Sequence, residues 1–149
     1  SRPLSGRAEL VKEVGRYANR LNLPMAIVDK RRYDDSESAK ATNLIGNVRG
    51  KHAIIIDDEV ATGGTLIEAA AFLKDQGALS VTAAFTHGVL SGTAVERLSA
   101  SDISGLTFTN TIPLQGKTSP KFTVLSVAEL FAQAIRRIHD GDSISNLFR

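Results

Sequence analysis

The sequence predicts an α/β fold, a three-layer α/β/α sandwich around a mainly parallel sheet of about five strands, and three observations carry that expectation. Short apolar runs alternate with longer segments of helical periodicity: residues 53–56 precede a helical pattern from Leu66, and residues 80–85 precede one from Ala94. The runs are nearly continuous in apolar residues, as strands covered on both faces are. Glycine-rich and polar strings follow the runs at their carboxyl ends, the edge where open α/β sheets collect ligands.

Bulk properties narrow the classes. At 149 residues, 42% hydrophobic and 23% charged, the chain reads as one globular domain with a single core. A formal net charge of +2 is too small to argue for nucleic acid, and the one basic run, Lys30-Arg31-Arg32, has only Tyr33 nearby for stacking and acids directly after it. With no cysteine, disulfides and thiol nucleophiles are excluded. No apolar run approaches the ~20 residues of a membrane span and no signal-peptide pattern opens the chain, so a cytoplasmic protein is expected.

The elements follow in order. Residues 1–6 read as an irregular start. From Arg7, the residues Leu10, Val11, Val14, Tyr17, Ala18 and Leu21 recur at helical spacing, and Asn22 with Pro24 ends the pattern. A strand over residues 25–28 runs directly into Lys30, Arg31 and Arg32. Residues 33–42 are polar, charged and aperiodic, so the basic run and this segment read as a lid over a phosphate-rich substrate; a solvated surface is the plainer alternative. Residues 43–48 and the turn Arg49-Gly50-Lys51 make a short strand before the central one, residues 53–56. Leu66, Ala69, Ala70, Leu73 and Gln76 trace a helix capped by Gly77. A buried strand over 80–85 ends in Thr86-His87-Gly88-Val89-Leu90-Ser91-Gly92, and a short helix covers 94–98. His87 is read as shaping the site rather than as a catalyst, and His52 and His139 as structural. Residues 99–105 read as a polar connection, 106–109 as a strand, 115–121 as a loop and 122–125 as the last parallel strand. Val127, Leu130, Phe131, Ala134, Ile135 and Ile138 then give an amphipathic helix, and the apolar tail after Asp140 suits a subunit contact.

The chain is organised around Ile56-Asp57-Asp58-Glu59-Val60-Ala61-Thr62-Gly63-Gly64-Thr65. Thr62, Gly63, Gly64 and Thr65 offer backbone N–H groups and two hydroxyls, and the glycines remove Cβ atoms that would hold a phosphate away. Asp57 and Asp58 stand just upstream, where they can accept hydrogen bonds from vicinal sugar hydroxyls. A sugar phosphate satisfies both halves. The string lacks a Walker lysine and the separated glycines of a dinucleotide fold. No His, Asp and Glu cluster has metal-ligand spacing, so no tightly held protein metal is expected.

This string resembles the phosphoribosyl-binding motif shared by phosphoribosyltransferases and ribose-phosphate pyrophosphokinases (PRPP synthases). Val28-Asp29-Lys30-Arg31-Arg32, Thr86-His87-Gly88-Val89-Leu90-Ser91-Gly92, Thr111-Ile112-Pro113-Leu114 and Ile135-Arg136-Arg137-Ile138-His139 resemble the synthase branch, over nearly the whole chain from about residue 7, and match its carboxyl-terminal half. The resemblance implies a phosphoribosyltransferase-like fold and the reaction of ATP with ribose 5-phosphate to PRPP and AMP. Mg²⁺ would accompany ATP, and Lys30 and Arg32 would stabilise the transition state of pyrophosphoryl transfer. Thr62, Gly63, Gly64 and Thr65 would grip the 5-phosphate, and Asp57 and Asp58 would orient the ribose hydroxyls. It also implies a homo-oligomer, with Ser143 and Ser145 as candidates for an effector site.

The sequence departs from the family's pattern in three places. Ala61 stands where the family commonly has an acidic residue. The Ser-Pro-Asp-x-Gly-Gly type segment that precedes the family's first helix, with its metal-associated Asp, has no counterpart in residues 1–6. No amino-terminal half with the ATP contacts is visible, so the chain alone is expected to bind ribose 5-phosphate weakly and to turn over negligibly. Two further readings share the fold: a phosphoribosyltransferase acting on a nucleobase with PRPP, for which no base-recognition hood is seen, and a non-catalytic regulatory or assembly relative.

Overall fold

The computed structural model describes residues 4–32 and 40–148, with the side chains of residues 13–29 and 43–147. Helix α1 (Leu4–Leu21) opens it, so the segment read as irregular is helical from Leu4. In the sequence Pro3 stands immediately before, and proline is tolerated at a helix start because its missing N–H would have no partner there. The helix ends where Asn22 turns left-handed, at φ 52°.

Strands β1 (Ile27–Arg32) and β2 (Lys40–Ile45) pair antiparallel, from Ile27 opposite Ile45 to Arg32 opposite Lys40. Lys30, Arg31 and Arg32 therefore continue the strand instead of following it, and residues 40–42 belong to its partner rather than to a lid. Strand pairing is a backbone relation that polar residues can join, which is why composition alone misplaced them. The remainder of the expected lid, residues 33–39, lies outside the described residues, as do the side chains of Lys30 and Arg32.

Four parallel strands form the main sheet in the order β3 (His52–Val60), β4 (Ser80–Gly88), β5 (Ile103–Thr109), β6 (Phe122–Leu125). Helix α2 (Gly64–Asp75) joins β3 to β4 and α3 (Ala94–Ala100) joins β4 to β5. Each crossover advances one strand in the same direction, so right-handed connections carry both helices over one face. That face holds the core. Val81, Ala83 and Phe85 alternate inward from β4 and are buried together with Leu66, Ala70 and Leu73 of α2, Leu98 of α3, and Leu106 and Phe108 of β5. Phe108 stacks on Phe85 at 4.9 Å and meets Phe122 edge-on at 5.2 Å, which ties three strands through one ring.

Three expectations about the sheet change. The strand read as central, β3, is the outer strand of the four, and Ile54 is 57% exposed; β1 bonds to β2 instead of extending the sheet beside it. Strand β5 begins at Ile103, inside the stretch read as a polar connection, because Asp102 and Ser104 flank a residue that is fully buried. Helix α2 closes as its sequence implies: Gly77, at φ 94°, bonds Lys74 O, and Ala78 N–H reaches Leu73 O.

Helix α4 (Ala128–Asp140) has the predicted apolar stripe, but none of its residues is buried, and Ile135 and Ile138 are each 66% exposed. A 3-10 turn (Ser145–Phe148) follows. Among the described residues no helix is long and apolar enough to cross a membrane.

Candidate functional site

The site grows from the carboxyl ends of β3, β4 and β5, which parallel register brings to one edge. Strand β3 runs to Val60, opposite Gly88, so Asp57 and Asp58 lie within the strand and not beyond its end. Apolar content falls at Asp57, but pairing to β4 continues through Glu59 and Val60 and extends the element. Neighbouring side chains of an extended strand leave on opposite faces. Both aspartates are half-buried, and Asp57 Oδ1 accepts the Asp58 N–H at 2.8 Å.

Beyond Val60 the chain turns sharply into α2. Ala61 and Thr62 are exposed, Gly63 is buried in a left-handed conformation (φ 76°, ψ −4°), and α2 begins at Gly64, two residues earlier than its apolar pattern suggests. Thr65 therefore sits in the first helical turn. No side chain caps this helix, so the N–H groups of its first turn are left without a side-chain partner, and Thr65 is exposed beside them.

The glycine pair has an internal cause that the sequence did not reveal. A Cβ on Gly63 would meet Cδ2 and Cγ of Leu98 at 3.1 Å, and one on Gly64 would come within 3.3 Å of the Arg97 guanidinium. Helix α3 thus presses on the back of the loop. Arg97 Nη1 also donates a long hydrogen bond, 3.4 Å, to the Thr62 carbonyl. The loop after β4 braces the other side: Leu90 N–H bonds Val60 O at 3.1 Å and Ser91 N–H bonds Ala61 O at 3.0 Å. Leu90 is fully buried at φ 47°, a strained conformation for a branched residue. Lys117 Nζ pins the same loop through Val89 O at 2.9 Å.

His87 Nδ1 lies 2.8 Å from the Thr111 hydroxyl, while Thr109 and Thr111 donate to Thr86 O. The end of β5 is thereby tied to the end of β4. His52 bonds Ser80 across the opposite end of the sheet. Ser143 and Ser145 lie past α4: Ser143 Oγ accepts the Ser145 N–H at 3.2 Å, and Arg137 donates to Ser143 O at 3.1 Å. Beside them Gln133, Arg136, Arg137, Asp140 and Asp142 line an open groove of about 380 Å³. Among the described residues, no group of three or more His, Cys, Asp or Glu side chains could hold a metal ion.

Thr62, Gly63, Gly64 and Thr65 thus form the turn and helix start that follow the strand carrying Asp57 and Asp58. Sequence reasoning missed Arg97 and Leu98, which stand more than thirty residues away in the chain; a paired-glycine turn signals a close neighbour without saying which.

Residues 33–149 match the family described as the phosphoribosyl synthetase-associated domain. The chain is 52% identical over 133 residues to a ribose-phosphate pyrophosphokinase of Caldanaerobacter subterraneus subsp. tengcongensis, covering 89% of this chain and 42% of the relative. It is 45% identical over 140 residues to the ribose-phosphate pyrophosphokinase of Clostridium acetobutylicum, covering 93% and 44%. The fold superposes on the crystal structure of phosphoribosylpyrophosphate synthetase from Mycobacterium smegmatis with a TM-score of 0.78, at 34% identity, over 88% of this chain and 42% of that one. The chain spans less than half the length of each of these relatives.

Proposed function

The chain belongs to the phosphoribosyl synthetase-associated domain family, and on that premise we propose that it supplies the ribose 5-phosphate site and the basic catalytic residues of a ribose-phosphate diphosphokinase. It would form the carboxyl-terminal portion of that enzyme, as a single phosphoribosyltransferase-like domain. The observation that carries this reading is the turn at Thr62–Gly64, an uncapped helix start that follows the strand carrying Asp57 and Asp58, in a chain similar to proteins named ribose-phosphate pyrophosphokinase.

In this reaction the anomeric hydroxyl oxygen of ribose 5-phosphate attacks the β-phosphorus of ATP. The new O–P bond forms as the bond from that phosphorus to the oxygen bridging the α-phosphorus breaks; AMP leaves with the bridging oxygen, and the hydroxyl proton passes to water. The turn N–H groups and the Thr65 hydroxyl hold the 5-phosphate, and the carboxylates of Asp57 and Asp58 are the proposed acceptors for the ribose hydroxyls. Lys30 and Arg32 neutralise charge on the transferred group. Magnesium would enter as part of the MgATP substrate. Ser143 and Ser145, beside the arginine-lined groove, are the proposed effector residues, and assembly into a homo-oligomer would complete the nucleotide site.

Calorimetric titration with ribose 5-phosphate tests this reading. Wild type is expected to bind, and Thr65→Ala and Asp58→Ala to bind at least tenfold more weakly. Absence of any wild-type binding at millimolar ligand would remove the sugar-phosphate assignment from this chain.

A further inference from the structure

We infer that Arg97 is a positioning residue for the phosphate turn, holding the Thr62–Gly63 peptide with its N–H directed toward the anion. The inference rests on the sugar-phosphate reading for its ligand, but its geometry stands in the chain itself. A trans peptide is planar, and its C=O and N–H point in opposite directions. Arg97 Nη1 donates to the Thr62 carbonyl at 3.4 Å, so that carbonyl faces α3 and the N–H of the same peptide, on Gly63, faces away from it. A peptide turned the other way would present a carbonyl oxygen to the phosphate and repel it.

Four features suit Arg97 to this task. Gly63 at φ 76° has no Cβ to lock the preceding peptide, so its orientation needs an outside hold. The guanidinium also lies against Gly64, 3.3 Å from where a Cβ would be, which fixes it across the turn rather than at one atom. The adjacent Leu98 is fully buried against Gly63, so α3 is anchored and Arg97 works from a rigid base. An exposed cation on this turn also lowers the cost of bringing a dianion to it.

The test compares the chain with Arg97→Met, which keeps length but removes every donor, and Arg97→Lys, which restores charge and one donor direction. Backbone NMR shifts of the Thr62 carbonyl and Gly63 amide are followed without ligand and during titration with inorganic phosphate and ribose 5-phosphate; melting temperature is measured in parallel. Arg97→Met is expected to move both resonances in the free chain and to weaken binding of both ligands about tenfold or more, with Arg97→Lys partly restoring binding and the melting temperature little changed. Unaltered Thr62 and Gly63 resonances in Arg97→Met would overturn the inference, as would wild-type phosphate affinity in that variant. If the wild-type chain binds neither ligand, the sugar-phosphate reading fails, and the free-chain resonances still decide whether Arg97 sets the peptide.

Discussion

Gly63→Ala probes whether the paired glycines serve the packing of α3 or only the approach of a ligand. The substitution places a Cβ at φ 76°, at a cost of about 1–2 kcal/mol for a left-handed residue. The same Cβ lies 3.1, 3.1 and 3.3 Å from three carbons of Leu98, which is fully buried and cannot swing into solvent, adding about 1–3 kcal/mol of overpacking. The expected loss is about 2–5 kcal/mol, read by urea denaturation as a lower midpoint at unchanged slope. Leu98→Ala alone should cost about 2–5 kcal/mol through its cavity. In that background Gly63→Ala should cost only its backbone share, leaving a coupling of about 1–3 kcal/mol in the double-mutant cycle. Strict additivity, or a single-mutant cost below about 0.5 kcal/mol, would refute the packing argument and return the glycine to the ligand alone.

Other outcomes follow from the same geometry. Phe108→Ala, at the junction of Phe85 and Phe122, should cost about 3–5 kcal/mol in denaturation, and a cost near 1 would mean the core is not centred there. Ile135→Lys, on the exposed face of α4, should change the stability of this chain by less than about 0.5 kcal/mol; a larger loss would show that the face is already covered in solution. His87→Ala removes the bond to Thr111 and should cost about 1 kcal/mol, with faster amide exchange at residues 110–112; unchanged exchange there would argue that the end of β5 is held without it.

Much of the fold was legible because its signals are local. Short apolar runs separated by helical periodicity specify parallel crossovers whatever their exact ends, and α2, α3, β4, β6 and α4 appear close to where the pattern puts them. The turn into α2 was legible for a related reason: paired glycines between an apolar run and a helical pattern mark a tight strand-to-helix connection. Boundaries were less so, since pairing extends β3 through Asp57 and Asp58 and draws Lys30 to Arg32 into β1, where composition reads a polar end.

The sequence by itself determined that this is an α/β chain with a glycine-paired strand-to-helix turn at residues 62–65, since periodicity and backbone chemistry are properties of neighbours along the chain. Only the tertiary structure decided that β3 lies at the sheet edge, that α4 leaves its apolar stripe exposed, and that Arg97 and Leu98 stand behind the turn. Those are relations between residues distant in sequence, brought together by strand pairing and crossover handedness, and no local pattern encodes which distant side chain will arrive.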